Sequence, residues 1–189
     1  MSQNITCPNC SHEQVVKLVQ HIGADDQCLE QLFNGELNQI TCEECASSFI
    51  CETPIVYRDE ERGFYVFYNP QLVAYTVDQI EGFMDQVMTQ TFAHLEDYDI
   101  PECRVTRDRN SFIEKIAIVR SELDDRVLEF MKFQIFQHDK SYSRNEHVLF
   151  YDFSHTNQEF LEITVFSKTK GRALDNLQIA QTTYDQLVD

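Results

Sequence analysis

The stretch ITCPNC, residues 5–10, places two cysteines three positions apart, and TCEEC, residues 41–45, repeats the arrangement. Residues 11–41 separate the first pair, Cys7 and Cys10, from the second pair, Cys42 and Cys45. Four thiols in this order suit a metal cage, a redox pair or a disulfide framework. The fold of the N-terminal third therefore depends on which of these the four thiols form.

Two CxxC pairs are typical of a closed metal site, because each pair supplies two thiolates to one edge of a tetrahedron. Four thiolates at about 2.3 Å are the preferred shell of structural zinc, and two such knuckles facing each other make a zinc ribbon. The intervening segment exceeds the usual interval of about 15–20 residues, but a strand, a helix and a strand can fold back over it. We predict one structural zinc ion, bound by Cys7, Cys10, Cys42 and Cys45.

Cysteine usage and the N-terminus bear on the compartment. Seven cysteines is an odd number for a secreted disulfide scaffold, and MSQNITCPNC lacks the basic and apolar segments of a signal peptide. We therefore expect a cytoplasmic protein with free thiols. No run of about 18 apolar residues occurs, so the sequence predicts no membrane association. Cys28, Cys51 and Cys103 are predicted to be buried thiols.

Acidic residues dominate the charge, with 32 Asp and Glu against 15 Lys and Arg and a net charge of −17. Within residues 1–57 the only base is Lys17. The acids of this segment are Glu13, Asp25, Asp26, Glu30, Glu36, Glu43, Glu44 and Glu52. Proteins that bind nucleic acid generally do so with clustered Lys and Arg side chains that neutralise phosphates. We therefore expect no generic nucleic-acid binding.

Five of these acids are predicted to bind a protein partner that presents a basic surface. They are Asp25, Asp26, Glu30, Glu43 and Glu44. Complementary charges of this kind mainly accelerate encounter between partners. The alternative is that the negative charge only keeps the protein soluble.

Hydrophobic spacing predicts an N-terminal part, residues 1–71, that is mainly strands. Short extended pieces surround the first cysteine pair, a helix spans 25–33, and strands flank the second pair. The runs IVYR and FYVFY flank DEERG, whose Gly63 suits a hairpin turn. The sequence therefore predicts a ribbon with a β-hairpin extension.

Apolar residues recur every second position before residue 72 and every third or fourth position after it. This change predicts a C-terminal part at 72–189. This part is expected either as a separate unit or integrated with the ribbon into one domain. The fold class is α+β, with a four-cysteine zinc ribbon packed on a helical and mixed α/β C-terminal part. The predicted elements are helices at 77–95, 110–119 and 123–137, a strand at 103–107, a hairpin over 147–166, a strand near 177–180 and a helix near 183–189.

Several stretches resemble the CpXC family, over about residues 5–137. They are CPNC, LFNGELNQITCEEC, PIVYRDEERGFYVFYNP and FIEKIAIVRSELDDRVLEFMK. The resemblance implies a metal-ribbon fold with the same four cysteines as ligands, and it implies no activity, since the family is uncharacterised. The second motif departs from the usual Cys-Pro-x-Cys-Gly, because Glu43, Glu44 and Ala46 replace the proline and glycine. Without that glycine, the turn with positive φ that follows the knuckle is less favourable in energy.

Other groups of reactive side chains have ordinary structural explanations. Asp124, Asp125 and Glu129 are predicted to favour a helix N-terminus, and His147 and Asp152 to point to opposite faces of a strand. The chain has no Gly-rich phosphate loop, G-x-S-x-G elbow or H-E-x-x-H motif. An enzymatic role is therefore not favoured.

We interpret the chain as a zinc-stabilised acidic module that binds another protein in a regulatory role. Three other classes stay open. A rubredoxin-like electron carrier also uses two CxxC pairs, around iron. A nucleic-acid mimic would place its acidic surface in a partner's channel, and an enzyme could assemble its site from dispersed residues.

Overall fold

The computed structural model describes residues 2–95 and 100–188, and contacts divide the chain into two units. Unit 1 is Met1–Ile113 and unit 2 is Glu114–Asp189. This division groups residues that contact one another, whereas the boundary predicted at residue 71 marks the end of the zinc ribbon and its hairpin. The two boundaries therefore describe different things. The boundary at residue 71 stays a prediction.

Two antiparallel hairpins in unit 1 carry the cysteine pairs. Strands β1 (Ser2–Thr6) and β2 (Glu13–Lys17) form the first, and strands β4 (Gln39–Thr41) and β5 (Ser48–Ile50) form the second. Each CxxC motif follows the first strand of its hairpin directly. The turn of each hairpin is therefore a cysteine knuckle.

Helix α1 (Cys28–Phe33) lies between the two hairpins in sequence and buries Leu29 and Leu32. It begins three residues later than predicted, because the Asp26 carboxylate accepts the Cys28 N–H at 2.9 Å and holds the preceding residues in a turn. Gly35 follows the helix with φ 74°, the left-handed conformation in which glycine commonly ends a helix.

A mixed four-stranded sheet completes the β-structure of unit 1, in the order β3-β6-β7-β8. Its strands are β3 (His21–Gly23), β6 (Ile55–Asp59), β7 (Phe64–Tyr68) and β8 (Glu102–Thr106). The central β6–β7 hairpin is antiparallel, as predicted, while β3 and β8 add in parallel at its two edges. In β7, Phe64, Val66 and Tyr68 are buried and the alternate residues are half-buried, which fits the period of two.

Helix α2 (Val77–Phe92) confirms the predicted helix at 77–95 over most of its length. A capping box starts it: Thr76 Oγ1 accepts the Gln79 N–H at 3.4 Å, and Gln79 Oε1 accepts the Thr76 N–H at 2.9 Å. The apolar residues of this helix that recur at spacings of three and four are all half-buried: Ile80, Phe83, Met84, Val87 and Met88.

Unit 2 packs helices against an antiparallel sheet. Helix α3 (Arg109–Arg120) begins in unit 1 and ends in unit 2, and α4 (Asp125–His138) and α5 (Gln181–Val188) follow it. The sheet has the order β11-β10-β9, from β9 (His147–Tyr151), β10 (Phe160–Ser167) and β11 (Arg172–Ala180). The helices and strands β9 and β10 lie close to the predicted positions, but β11 begins five residues before the strand predicted near 177–180, because it pairs with β10 from Arg172 onward. The α+β class is confirmed.

The core of unit 2 is one apolar cluster between α3, α4, α5 and the sheet. Its buried members are Ile118, Leu128, Met131, Leu149, Tyr151, Leu161, Ile163, Val165 and Tyr184. The Tyr184 hydroxyl accepts the Asp124 N–H at 2.6 Å, so the aromatic ring is buried while its polar end is satisfied. A β-bulge between Val165 and Phe166 shifts the register of β10 against the exposed edge strand β11.

A network of charges, partly buried, joins α3 to α4 within unit 2. The Lys132 Nζ lies 2.6 Å from Glu114 Oε1, and both side chains are buried. Lys115 pairs with Asp125 and with Glu129, each at 3.0 Å. Two of the three carboxylates predicted at the helix N-terminus thus bind lysines. Only Asp124 acts as the cap, accepting the Arg126 N–H at 2.8 Å.

Among residues 2–95 and 100–188, no helix has both the length and the apolar character that crossing a membrane requires.

Candidate metal centre

The first knuckle is closed by the backbone on both sides of Cys7. The Cys7 N–H donates to the His12 carbonyl at 2.8 Å, and the Ser11 N–H donates to the Cys7 carbonyl at 2.9 Å. Ser11 takes up a left-handed conformation, with φ 61°. These bonds fold the chain back tightly, so that the thiols of Cys7 and Cys10 face the same way.

The second knuckle repeats this geometry residue for residue. The Cys42 N–H donates to the Ser47 carbonyl at 2.9 Å, and the Ala46 N–H donates to the Cys42 carbonyl at 2.9 Å. Ala46 has φ 56°, at the position that matches Ser11. The knuckle therefore forms although it lacks the glycine that the resemblance led us to expect.

The four sulfur atoms converge on one point between the knuckles. The Sγ atoms of Cys7 and Cys45 are 3.7 Å apart, and those of Cys10 and Cys42 are 3.6 Å apart. All four lie within 4.8 Å of one another. Metal–sulfur bonds of about 2.3 Å in a tetrahedron separate the sulfurs by about 3.8 Å, whereas a disulfide needs about 2.05 Å. The cluster could therefore hold a metal ion, and its thiols are free.

Burial differs among the four cysteines. Cys7 and Cys42 are buried, Cys45 is half-buried and Cys10 is exposed. Each knuckle therefore contributes one buried ligand, its first cysteine, and one ligand that is more accessible to solvent, its second cysteine. Four protein thiols leave no place for water or substrate around a tetrahedral ion, which is the arrangement of a structural metal site.

Polar neighbours favour negative charge on part of the cluster. Hydrogen bonds from Asn9 and Ser47 lower the pKa of the Cys45 thiol to about 5. The pKa of Cys10 moves the other way, to about 12: the His12 backbone hydrogen bond lowers it, but desolvation and the other three thiols raise it more. A bound cation would offset this mutual repulsion among thiolates, so the donor set fits a metal ion.

Replacing Ala46 with glycine is expected to raise the free energy of unfolding by about 1 kcal/mol. A side chain in the left-handed region costs about 1–2 kcal/mol, and part of that gain is lost to the greater freedom of glycine in the unfolded chain. Urea unfolding of the two proteins measures the difference. The control is Ala173→Gly in strand β11, where glycine should instead destabilise by about 0.5–1 kcal/mol. Equal losses in both variants would contradict the strain at Ala46.

Two of the five acids predicted to bind a partner come together with acids that the sequence analysis missed. Asp25 and Asp26 line a cleft of about 480 Å³ in unit 1. Its charged or titratable lining residues are His21, Asp25, Asp26, Arg58, Asp59, Glu60 and Glu61. Parallel pairing of β3 with β6 brings the segments after both strands to the same edge. The charge run DEERG was the available signal for Glu60 and Glu61.

The other three predicted acids do not line this cleft. Glu30 is exposed on α1, and Glu43 and Glu44 are exposed between the two cysteines of the second knuckle. The Glu43 N–H donates to Gln14 Oε1 at 3.0 Å, which ties the second knuckle to strand β2 of the first hairpin. All five acids face solvent.

The remaining cysteines are half-buried, less than predicted. Burial raises the pKa of all three thiols, to about 11 for Cys103, with smaller contributions from Asp26 for Cys28 and from Glu52 for Cys51. Raised pKa values favour the protonated thiols, which are weaker nucleophiles than thiolates.

Asp152, Ser154 and His155 meet in the turn after β9 but do not form a catalytic triad. His155 Nδ1 lies 2.9 Å from Asp152 Oδ2 and 3.1 Å from Ser154 Oγ, so a single ring nitrogen meets both partners. A triad needs one nitrogen for each. His147 lies apart from this group, and its Nδ1 accepts the Ser143 N–H at 3.1 Å.

Comparison with known protein families identifies the family of this chain. The family model described as CpXC protein matches residues 5–132, which include both knuckles and most of helix α4. No curated protein and no solved structure matches the chain.

Proposed function

Because this chain belongs to the CpXC family and the sulfurs of its four cysteines lie within 4.8 Å of one another, we propose that it is a zinc-stabilised, non-enzymatic module that binds a basic protein surface. The observation that carries the proposal is the spacing of the four sulfur atoms. The role of the metal is structural, because the protein supplies every ligand.

Zinc is the metal that the donor set favours. Four thiolates in a tetrahedron suit zinc or iron, and zinc has no redox chemistry that would need a path for electrons. Two buried ligands and two knuckles closed by backbone hydrogen bonds make a rigid cage, which suits a structural ion. Cys7, Cys10, Cys42 and Cys45 would hold the ion.

Purified protein is expected to carry one zinc ion per chain. Elemental analysis of the full chain measures it, and Cys51→Ser is the control, because this thiol lies outside the cluster. Less than about half an equivalent of zinc, or a red sample containing iron, would refute the structural-zinc site. The iron result would favour the electron carrier instead.

Exposed acids support the proposal of a basic partner. Asp25, Asp26, Glu30, Glu43 and Glu44 all face solvent, in a chain with a net charge of −17. Four thiolates around one divalent cation would add further negative charge beside Glu43 and Glu44. Such a surface attracts basic partners over about one Debye length, roughly 10 Å at 0.1 M salt. It would speed encounter, and apolar contacts would then hold the complex.

Replacing these five acids with lysine is expected to slow association about tenfold or more at low salt, and to remove its salt dependence. The probes are a lysine-rich peptide and the proteins that the wild type captures from its host. Zinc content should stay unchanged, since none of the five is a ligand.

A control variant with the same charge change in other places isolates the effect of this surface. It carries lysine at five exposed acids: Glu81, Asp85, Glu146, Glu159 and Asp185. If both variants slow association equally, only the net charge of the chain affects the rate. The five acids are then not the binding surface.

A further inference from the structure

Polar side chains surround the four sulfurs unevenly. The Ser47 hydroxyl lies 3.0 Å from Cys45 Sγ and 3.5 Å from Cys7 Sγ. The Asn9 amide donates to Cys45 Sγ at 3.5 Å. In the described part of the chain, side-chain donors other than cysteine thus reach one sulfur from each knuckle, Cys7 and Cys45.

The two knuckles have the same backbone geometry but different side chains at equivalent positions. The uneven distribution of hydrogen-bond donors around the sulfurs therefore comes from the sequence. Asn9 is the second residue after Cys7, and the residue at the same place after Cys42 is Glu44. A carboxylate cannot donate a hydrogen bond to sulfur when it is ionised. The backbone of the second knuckle copies the first, but its side chains do not supply the matching donor.

Both donors cross from one knuckle to the other. Asn9 belongs to the first knuckle and reaches the sulfur of Cys45 in the second. Ser47 belongs to the second and reaches the sulfur of Cys7 in the first. The two side chains therefore hold the knuckles in the facing arrangement that brings the sulfurs together.

We infer that Asn9 and Ser47 are positioning residues that set the metal affinity of the cysteine cluster. This inference rests on the metal binding proposed above and names the residues that determine its strength. A sulfur bound to metal carries no proton, so the Ser47 hydroxyl must be the donor, and its single hydrogen can point to Cys45 Sγ at 3.0 Å or to Cys7 Sγ at 3.5 Å. Cys7 is only 1% exposed, so water cannot readily replace the hydroxyl as a donor to its sulfur.

The magnitude follows from outer-shell effects at other metal sites. Hydrogen bonds to a ligand fix its orientation and tune its electron density, and removing them typically weakens metal binding about 10–100-fold. The double variant Asn9→Ala with Ser47→Ala is therefore expected to bind Zn²⁺ about 10–100-fold more weakly than the wild type. Each single variant should account for part of this loss.

The experiment is a Zn²⁺ competition against a chelator on the full chain, with Co²⁺ as a spectroscopic probe. The sulfur-to-cobalt charge-transfer band should shift in the Ser47→Ala protein, because the hydrogen bond acts on the sulfur itself. Ser47→Thr, which keeps the hydroxyl, should restore both the affinity and the band. A purely structural role for Ser47 would leave the band in place.

Ser48→Ala is the matched control, because its hydroxyl lies 3.1 Å from Thr41 Oγ1 and the residue is next to Ser47 in sequence. Wild-type affinity in the double variant, or an equal loss in Ser48→Ala, overturns the inference while leaving the metal site standing. A wild-type protein that binds neither Zn²⁺ nor Co²⁺ overturns the metal site and the inference together.

Discussion

Replacing Cys42 with serine is expected to abolish metal binding and to unfold the two hairpins that carry the knuckles. Cys42 is 2% exposed, its sulfur lies 3.6 Å from that of Cys10, and its backbone closes the second knuckle. Structural zinc contributes about 10–16 kcal/mol in small fingers, whereas a whole domain has a net stability of only about 5–15 kcal/mol. Loss of the metal is therefore expected to exceed what the two short hairpins can offset by their own pairing.

Elemental analysis and limited proteolysis measure the two parts of this result. The Cys42→Ser protein should carry no zinc and should be cut within residues 2–50, and treating the wild type with a chelator should produce the same cuts. Cys28→Ser is the control, because its half-buried thiol lies on α1 and outside the cluster. A Cys42→Ser protein with one zinc and the wild-type digestion pattern would rule out the cluster as the metal site.

Replacing Lys132 with methionine is expected to lower the free energy of unfolding by about 3–5 kcal/mol, because it leaves the carboxylate of Glu114 buried without its counter-charge. Both residues are 6% exposed, and their charged atoms are 2.6 Å apart. Urea unfolding measures the loss. Lys140→Met, at an exposed lysine, should change stability by less than about 0.5 kcal/mol.

The pH dependence of the Lys132→Met loss identifies its cause. Desolvation raises the pKa of Glu114 above that of an ordinary carboxyl group. A group with a raised pKa in the folded state supports folding at low pH and opposes it as the pH rises through that pKa. The destabilisation should therefore be small in acid and grow with pH.

A second substitution that removes the charge of Glu114 should recover part of the stability. Glu114→Gln leaves an oxygen to accept the Tyr151 N–H, so the double variant with Lys132→Met should be more stable than Lys132→Met at neutral pH. If the double variant is no more stable at any pH, the loss comes from packing and not from the unpaired charge.

The sequence predicted the cysteine cluster because the motif itself carries the geometry. A CxxC knuckle is a local turn, and its hydrogen bonds join residues no more than five positions apart, as between Cys7 and His12. The helices and the two longer hairpins could also be predicted from local signals, which are the spacing of apolar residues and turn residues such as Gly63. Short-range patterns were therefore predictable to within a few residues.

What the sequence did not predict depends on contacts between distant segments. Strand β3 has only three residues, and its parallel pairing with β6 is what brings Asp25 and Asp26 to Glu60 and Glu61. The hydrogen bond from Asn9 to the Cys45 sulfur likewise exists only once the knuckles face each other. Neither spacing nor composition carries information about such pairs.

The outer edge of strand β11 is a place where a second copy of the chain could add a strand. In the described part of the chain, β11 pairs only with β10, so nine residues present an open edge to which another chain could add a strand. Exposed Arg172 and Asp175 would have to lose water in such a contact, and the β-bulge at Leu174, between them, twists the edge. Together with the repulsion between chains of charge −17, these features would oppose edge-to-edge aggregation.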